Sequence, residues 1–65
     1  MIIVNGEKKQ CPQNMNFKNF LQSQGYDLKL VAVECNGEIV PKTRFEEKRV
    51  EDGDSIEVVS FVGGG

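Results

Sequence analysis

Apolar positions along the chain fall into two rhythms, punctuated by turn dipeptides. Ile2-Ile3-Val4 runs into Asn5-Gly6, Val31-Ala32-Val33 leads through Glu34-Cys35 to Asn36-Gly37, and Ser55-Ile56-Glu57-Val58-Val59-Ser60-Phe61 follows Asp52-Gly53-Asp54. Short β-branched runs bounded by Asn-Gly or Asp-Gly read as strands entering tight reversals, because these dipeptides tolerate positive φ. The first run and the segment 7–11 predict an N-terminal hairpin that Pro12 ends. Residues 30–35 and 38–40 predict a second hairpin, whose return arm is short or lies at an edge because Pro41 has no N–H to give a ladder. Between the hairpins the rhythm changes: Met15, Phe17, Phe20 and Leu21 recur at helical spacing, with Lys18, Asn19, Gln22 and Gln24 on the other face. A helix over 15–24 follows, with Asn14 or Asn16 to cap it and Gly25 to stop it. The polar stretch 42–48 predicts a loop or a single helical turn held down by Phe45.

The order is therefore two strands, a helix, a strand, a short return strand and a last strand. A helix lying between two hairpins lets all of them share one apolar face, which gives an α+β domain of four or five strands curled around one helix. Alternation then sorts the side chains. If Ile2 and Val4 point to the helix, Ile3 points away; if Ile56 and Val58 point inward, Glu57, Val59 and Phe61 point outward. A terminal strand beside the first would gather Ile3, Val59 and Phe61 into one outward patch, read here as a docking surface for a protein partner rather than as scattered exposure.

Composition narrows the functions. At 65 residues, 38% hydrophobic and 28% charged, one small domain is expected, with little room for a deep catalytic cleft. Ten acids against eight bases give a net charge of −2, which argues against nucleic acid as the main partner, and the Lys8-Lys9 and Lys48-Arg49 doublets read as solvated surface. Cys11 and Cys35 fit no metal site or four-cysteine cluster, and they read as strand-end packing residues. Glu46, Glu47, Glu51, Asp52 and Asp54 match no calcium loop and read as turn and surface residues. No segment looks like a secretion signal or approaches the ~20 apolar residues of a membrane span, so a reduced, cytoplasmic setting is expected.

The chain closes on Gly63-Gly64-Gly65. Glycines gain nothing from packing, so such an end is either dispensable or itself used. Val4-Asn5-Gly6-Glu7, Val31-Ala32-Val33, Asn36-Gly37-Glu38-Ile39-Val40-Pro41, the Asp52-Gly53-Asp54 turn and the terminal glycines, in this order and over the whole chain, resemble the ubiquitin-like β-grasp sulfur carriers, and among these most closely the carriers of thiamin biosynthesis. The resemblance implies a mixed sheet grasping the helix over residues 1–62, with 63–65 as a free glycine tail. It also implies a protein cosubstrate rather than an enzyme, with no bound cofactor. In that family an adenylating enzyme (ThiF) uses ATP and Mg to activate the C-terminal carboxylate, here that of Gly65. Sulfur from a donor system such as a cysteine desulfurase then displaces AMP, and thiazole synthase (ThiG) receives the thiocarboxylate. Gly64 and Gly65 correspond to the family's minimal ending, and Gly63 lengthens it.

The chemistry suits the residue type. A carboxylate is a poor acyl donor and must gain a leaving group before sulfur attacks, which requires threading the chain end into a closed nucleotide site. Three glycines reach about 10 Å and let an enzyme's backbone approach on both sides. Ordering each one costs about 1–2 kcal/mol, so affinity has to come from the folded surface, which gives the outward patch its purpose. Related readings are the small subunit of molybdopterin synthase, a carrier for tRNA thiolation and a ubiquitin-like lysine conjugate. A binding module that ignores its tail belongs to another class, and deleting Gly65 separates it from the carriers.

Overall fold

The computed structural model describes residues 1–61. The expected boundary at residue 62 and the tail 63–65 lie outside them. Strands β1 (Ile2–Val4) and β2 (Glu7–Lys9) form the first hairpin, α1 spans Phe17–Ser23, β3 (Val31–Cys35) and β4 (Glu38–Val40) form the second hairpin, and β5 spans Ser55–Ser60. Short 3₁₀ turns at Leu28–Leu30 and Lys42–Arg44 flank the second hairpin. The sheet order is β2-β1-β5-β3-β4, with β1 and β5 parallel and all other pairs antiparallel. The last strand thus becomes the central one, and the two hairpins flank it.

Strands β1 and β4 match their sequence expectation, and the other elements differ from theirs by one or a few residues at an end. The helix begins at Phe17 rather than at 15 because Asn16 is extended (φ −81, ψ 167) and its carboxamide oxygen accepts the Asn19 N–H at 2.8 Å. Met15 and Asn16 pair instead with the loop before β5: the Met15 carbonyl accepts from Val50 N–H at 3.0 Å, and Asn16 bridges to Arg49. At the other end Gly25 takes φ +87, Tyr26 N–H donates to the Leu21 carbonyl and Gly25 N–H to that of Gln22, both at 3.0 Å. This is the Schellman stop that the glycine predicts. Strand β2 ends at Lys9 rather than at 11, because Lys9 already faces Ile2, the first residue of β1. Leu30 belongs to a 3₁₀ turn capped by Asp27, and β3 starts one residue later.

Alternation separates inside from outside as expected. Ile2, Val4, Val31, Val33, Ile56 and Val58 face α1, whose Phe17, Phe20 and Leu21 complete the core with Phe45 and Val50 from the long loop. Phe45 holds the segment after β4 as the sequence suggests. Burying each such side chain stabilises by roughly 1.5–3 kcal/mol, so these few residues account for most of the driving force.

Candidate functional site

Strand β5 leads towards the C-terminus, and the structure ties it down on both sides. At Asn5 the first hairpin turns away from the sheet with φ 50, and β1 can pair no further with β5. The side chain replaces the missing strand. Asn5 Oδ1 accepts the Val58 N–H at 2.7 Å and Asn5 Nδ2 donates to the Val58 carbonyl at 3.2 Å, while the Asn5 N–H donates to Ile56 at 2.9 Å. A carboxamide has the donor and acceptor of a peptide group, so it extends the ladder by one step.

Asn36 does the same at the other end. Its N–H donates to the Ser55 carbonyl at 2.8 Å, and its Oδ1 accepts the Ser55 N–H at 2.9 Å. Its Nδ2 donates at 3.0 Å to Asp54 Oδ1, and the other Asp54 oxygen accepts the Glu51 N–H at 2.8 Å. Asp54 is buried, and these partners satisfy it. The sequence reading treats both Asn-Gly pairs as turns and misses the clamps; the signal is Asn, rather than Asp or Gly, at the first position of both turns.

On the outer face the register brings some expected site residues together and separates another. Val59, 55% exposed, faces Ala32 of β3, and Phe61, 56% exposed, donates its N–H to the Leu30 carbonyl at 2.6 Å. Val59 and Phe61 therefore lie in neighbouring rows where β5 leaves the sheet, with Leu30 also exposed nearby. Ile3 is exposed too, but it sits opposite Ser55. Four residues of strand separate Ser55 from Val59, ~13 Å at ~3.3 Å per residue. The single patch of Ile3, Val59 and Phe61 is thus corrected to an apolar group of Val59, Ala32, Phe61 and Leu30, with Ile3 at the opposite end of the sheet. Parallel pairing sets this offset, and no turn between β1 and β5 announces it.

Between these ends the outer row reads Glu57, Glu34, Ile39 across β5, β3 and β4. Glu34 and Glu57 are direct cross-strand partners and both are exposed, as is Ile39 at 76%. Ion pairs among the described residues join the Met1 amine to Asp52, Lys18 to Glu46 and Arg44 to Glu47, and include neither Glu34 nor Glu57.

Neither cysteine has the setting of a nucleophile. Cys35 is buried at the end of β3. Burial pushes its thiol above the ordinary value and the nearby Asp54 carboxylate pushes it further, while Lys48 opposes. The reactive thiolate is therefore scarce at neutral pH. Cys11 is half-buried and unpaired, with its sulfur 3.6 Å from the Pro12 carbonyl. Among the described residues no helix is long and apolar enough to cross a membrane.

A mixed five-stranded sheet wrapped on one helix, with its central strand running out towards a glycine end, defines the ubiquitin-like β-grasp class. The chain belongs to the ThiS family, whose sequence pattern matches residues 2–65. It is 38% identical to the sulfur carrier protein ThiS of Bacillus subtilis over 66 residues, covering all of both chains. The crystal structure of the thiamine biosynthesis protein ThiS from Geobacter metallireducens superposes with a TM-score of 0.81 at 31% identity, covering 98% of this chain and 97% of that one. A thiazole synthase of Paramagnetospirillum magneticum is 42% identical over 64 residues, 98% of this chain, and the chain spans only 20% of that longer relative.

Proposed function

We propose that the protein is the sulfur carrier of thiazole formation in thiamin biosynthesis, and that the main-chain carboxylate of Gly65 is its reacting group. An adenylating enzyme of the ThiF type attaches AMP from ATP, with Mg, to that carboxylate and releases pyrophosphate. A sulfur nucleophile, supplied by a system such as a cysteine desulfurase, then forms the C–S bond as AMP leaves. A ThiG-like thiazole synthase takes the sulfur, and the carrier returns with a carboxylate. All of this belongs in a reducing, cytoplasmic setting.

The observation that carries the reading is the clamping of β5 by both hairpins through Asn5 and Asn36. In sequence this held strand is followed by Phe61, Val62 and then three residues with no side chains. Membership of the ThiS family supports the sulfur-carrying role, and the thiazole synthase relative, which includes a stretch similar to this chain, supports that partner. The exposed Val59 and Phe61 beside the exit supply the grip, and Gly63 and Gly64 supply the reach.

Intact-mass measurement after incubation with ATP, Mg, a ThiF-type enzyme and sulfide tests the chemistry. One oxygen of the protein is expected to be replaced by sulfur, and only when Gly65 is present and terminal. Sulfur gained equally by a chain lacking Gly65, or by one with a bulky residue appended, overturns the assignment.

A further inference from the structure

Asparagine followed by glycine is an especially labile pair in an unfolded chain, and the sequence has two, Asn5-Gly6 and Asn36-Gly37. The glycine N–H loses its proton and the nitrogen attacks Cγ of the asparagine. A C–N bond forms as the side-chain nitrogen departs with that proton as ammonia, closing a five-membered imide. Water then opens the imide at either carbonyl, which leaves aspartate or isoaspartate. Water enters, ammonia leaves, and no oxidant or enzyme is needed. Asn14, Asn16 and Asn19 precede Met15, Phe17 and Phe20, whose side chains hinder the same attack.

Both labile pairs form hairpin turns, and both asparagines are the side chains that clamp β5. Packing does not shield the glycines: beyond the chain neighbours, no atom lies within 4 Å of where a Cβ would stand on Gly6 or Gly37. Conformation does. Ring closure swings the glycine nitrogen onto Cγ, so the asparagine ψ must leave the left-handed region in which Asn5 (φ 50) and Asn36 (φ 54) make their turns. The carboxamide must also turn away from β5. At Asn36 that breaks the 2.9 Å bond from Ser55 N–H and the 3.0 Å bond to buried Asp54, and at Asn5 the bonds to Val58 at 2.7 and 3.2 Å. Leaving these partners unpaired opposes the rotation.

We infer that Asn5 and Asn36 are deamidation sites closed in the folded protein and open in the unfolded chain, and that reaction at either one keeps its clamp from reforming. The inference is independent of the proposed carrier function. A carboxylate at 36 has no N–H to give Asp54 and sets a second negative charge against it. A carboxylate at 5 turns an oxygen towards the Val58 carbonyl where an N–H stood. Isoaspartate also lengthens the main chain by a methylene within a two-residue turn. Unfolding, reversible in itself, thus leaves a permanent mark on the contacts that hold β5.

The test incubates the full-length protein in warm, mildly alkaline buffer with and without guanidinium, beside Phe17→Ala, a core truncation expected to be largely unfolded without denaturant. Peptide fragmentation locates each amide replaced by acid and distinguishes isoaspartate. Deamidation at 5 and 36 is expected to run about a hundredfold slower in native wild type than in guanidinium, because a small domain is open for only a small fraction of the time. Phe17→Ala should approach the guanidinium rate in plain buffer. Native rates within a few-fold of the unfolded ones at either site overturn the inference, as does a lack of reaction in guanidinium. Slow reaction in a Phe17→Ala sample that circular dichroism shows to be unfolded overturns it too. Singly modified chains, separated by anion exchange and returned to native buffer, are expected to melt at least about 4 °C below unmodified chain taken through the same steps. A modified chain that melts with the unmodified one shows that the clamp reforms, which overturns the permanent mark.

Discussion

Both faces of this sheet carry large apolar residues, and these do opposite work on the two sides. On β5 Ile56 and Val58 are buried, while Val59 and, just past the strand's end, Phe61 are more than half exposed; on β1, Ile2 and Val4 are buried while Ile3 is exposed. For these apolar residues the residue type does not tell the face, and side-chain parity does. The inner face is closed by α1, Phe45 and Val50 into one cluster, so each of its residues is held by many others. Among the described residues the outer face has no covering element; Val59, Phe61 and Leu30 gather where β5 leaves the sheet, with Ile3 and Ile39 apart from them. A domain this small has a single core, so an apolar residue facing away from it is free to serve an interaction.

The contrast is broken most violently from the inside. Phe17 and Ile56 are fully buried, and truncating either to Ala removes about 2–5 kcal/mol. A domain of this size has roughly 3–5 kcal/mol in total. Phe17→Ala is therefore expected to be largely unfolded at 37 °C by circular dichroism, and a cooperative melt near that of wild type would show that the core is shared more widely than the structure indicates.

Next in size are the clamps. Asn36→Gly keeps the backbone at ease in the left-handed region, where Asn36 has φ 54, but it takes one donor from buried Asp54 and the acceptor from Ser55 N–H. A loss of about 1–3 kcal/mol is expected in urea unfolding, and Asn36→Asp should lose more, since it sets a second carboxylate against Asp54. If Asn36→Gly unfolds at the wild-type urea concentration, the bonds to Asp54 and Ser55 contribute nothing net.

Cys35 gives a smaller, pH-dependent effect. Its folded thiol titrates above its unfolded one, first because of burial and then because of Asp54, with Lys48 opposing and Glu51 adding slightly. The contribution is fully present below the ordinary thiol range near ~8.5 and is lost as pH rises from there through the folded value, because the unfolded chain releases its proton first. The slope can reach about 1.4 kcal/mol per pH unit at most. Subtracting the stability profile of Cys35→Ala from that of wild type between neutral and alkaline pH isolates it. A difference that stays flat across this range means that the thiol is no harder to ionise in the fold than out of it.

How far the sequence discloses this arrangement depends on how local each signal is. The β-branched runs, the turn glycines and the Gly25 stop are local, and strands, hairpins and helix end follow from them. The helix start is not local: Met15 and Asn16 are drawn into pairing with Arg49 and Val50, more than thirty residues on. Position 3 fails for the same reason, since β1 meets β5 through a parallel offset that no connecting turn fixes. Val50 looks polar by its neighbours Arg49 and Glu51, yet it completes the core. The clamps of Asn5 and Asn36 are hidden because a turn-forming asparagine and one that also completes a sheet ladder look identical in sequence. Of the site, Val59 and Phe61 are readable from parity, whereas Glu34 facing Glu57 requires the β3–β5 register. Positions 63–65 lie beyond the described residues, and their role rests on chemistry.

The smallest effect on folding should accompany a large one on recognition, and it comes from the outer face. Phe61 is beyond the last residue of β5, more than half exposed, and contributes to the sheet through its N–H rather than its ring. Phe61→Asp keeps that N–H, so unfolding free energy should stay within about 0.5 kcal/mol of wild type. On the proposed function, the same change places a charge where the activating enzyme would form an apolar contact beside the tail, and an aromatic that acts as an interface hot spot carries about 2 kcal/mol or more. Binding to the ThiF-type enzyme should therefore weaken about thirtyfold or more, with the sulfur-loading rate at low enzyme falling in parallel. Two results would erase the distinction between the faces: a Phe61→Asp protein that melts early, which makes position 61 part of the fold, or one that binds undiminished, which leaves the outer apolar residues without a purpose.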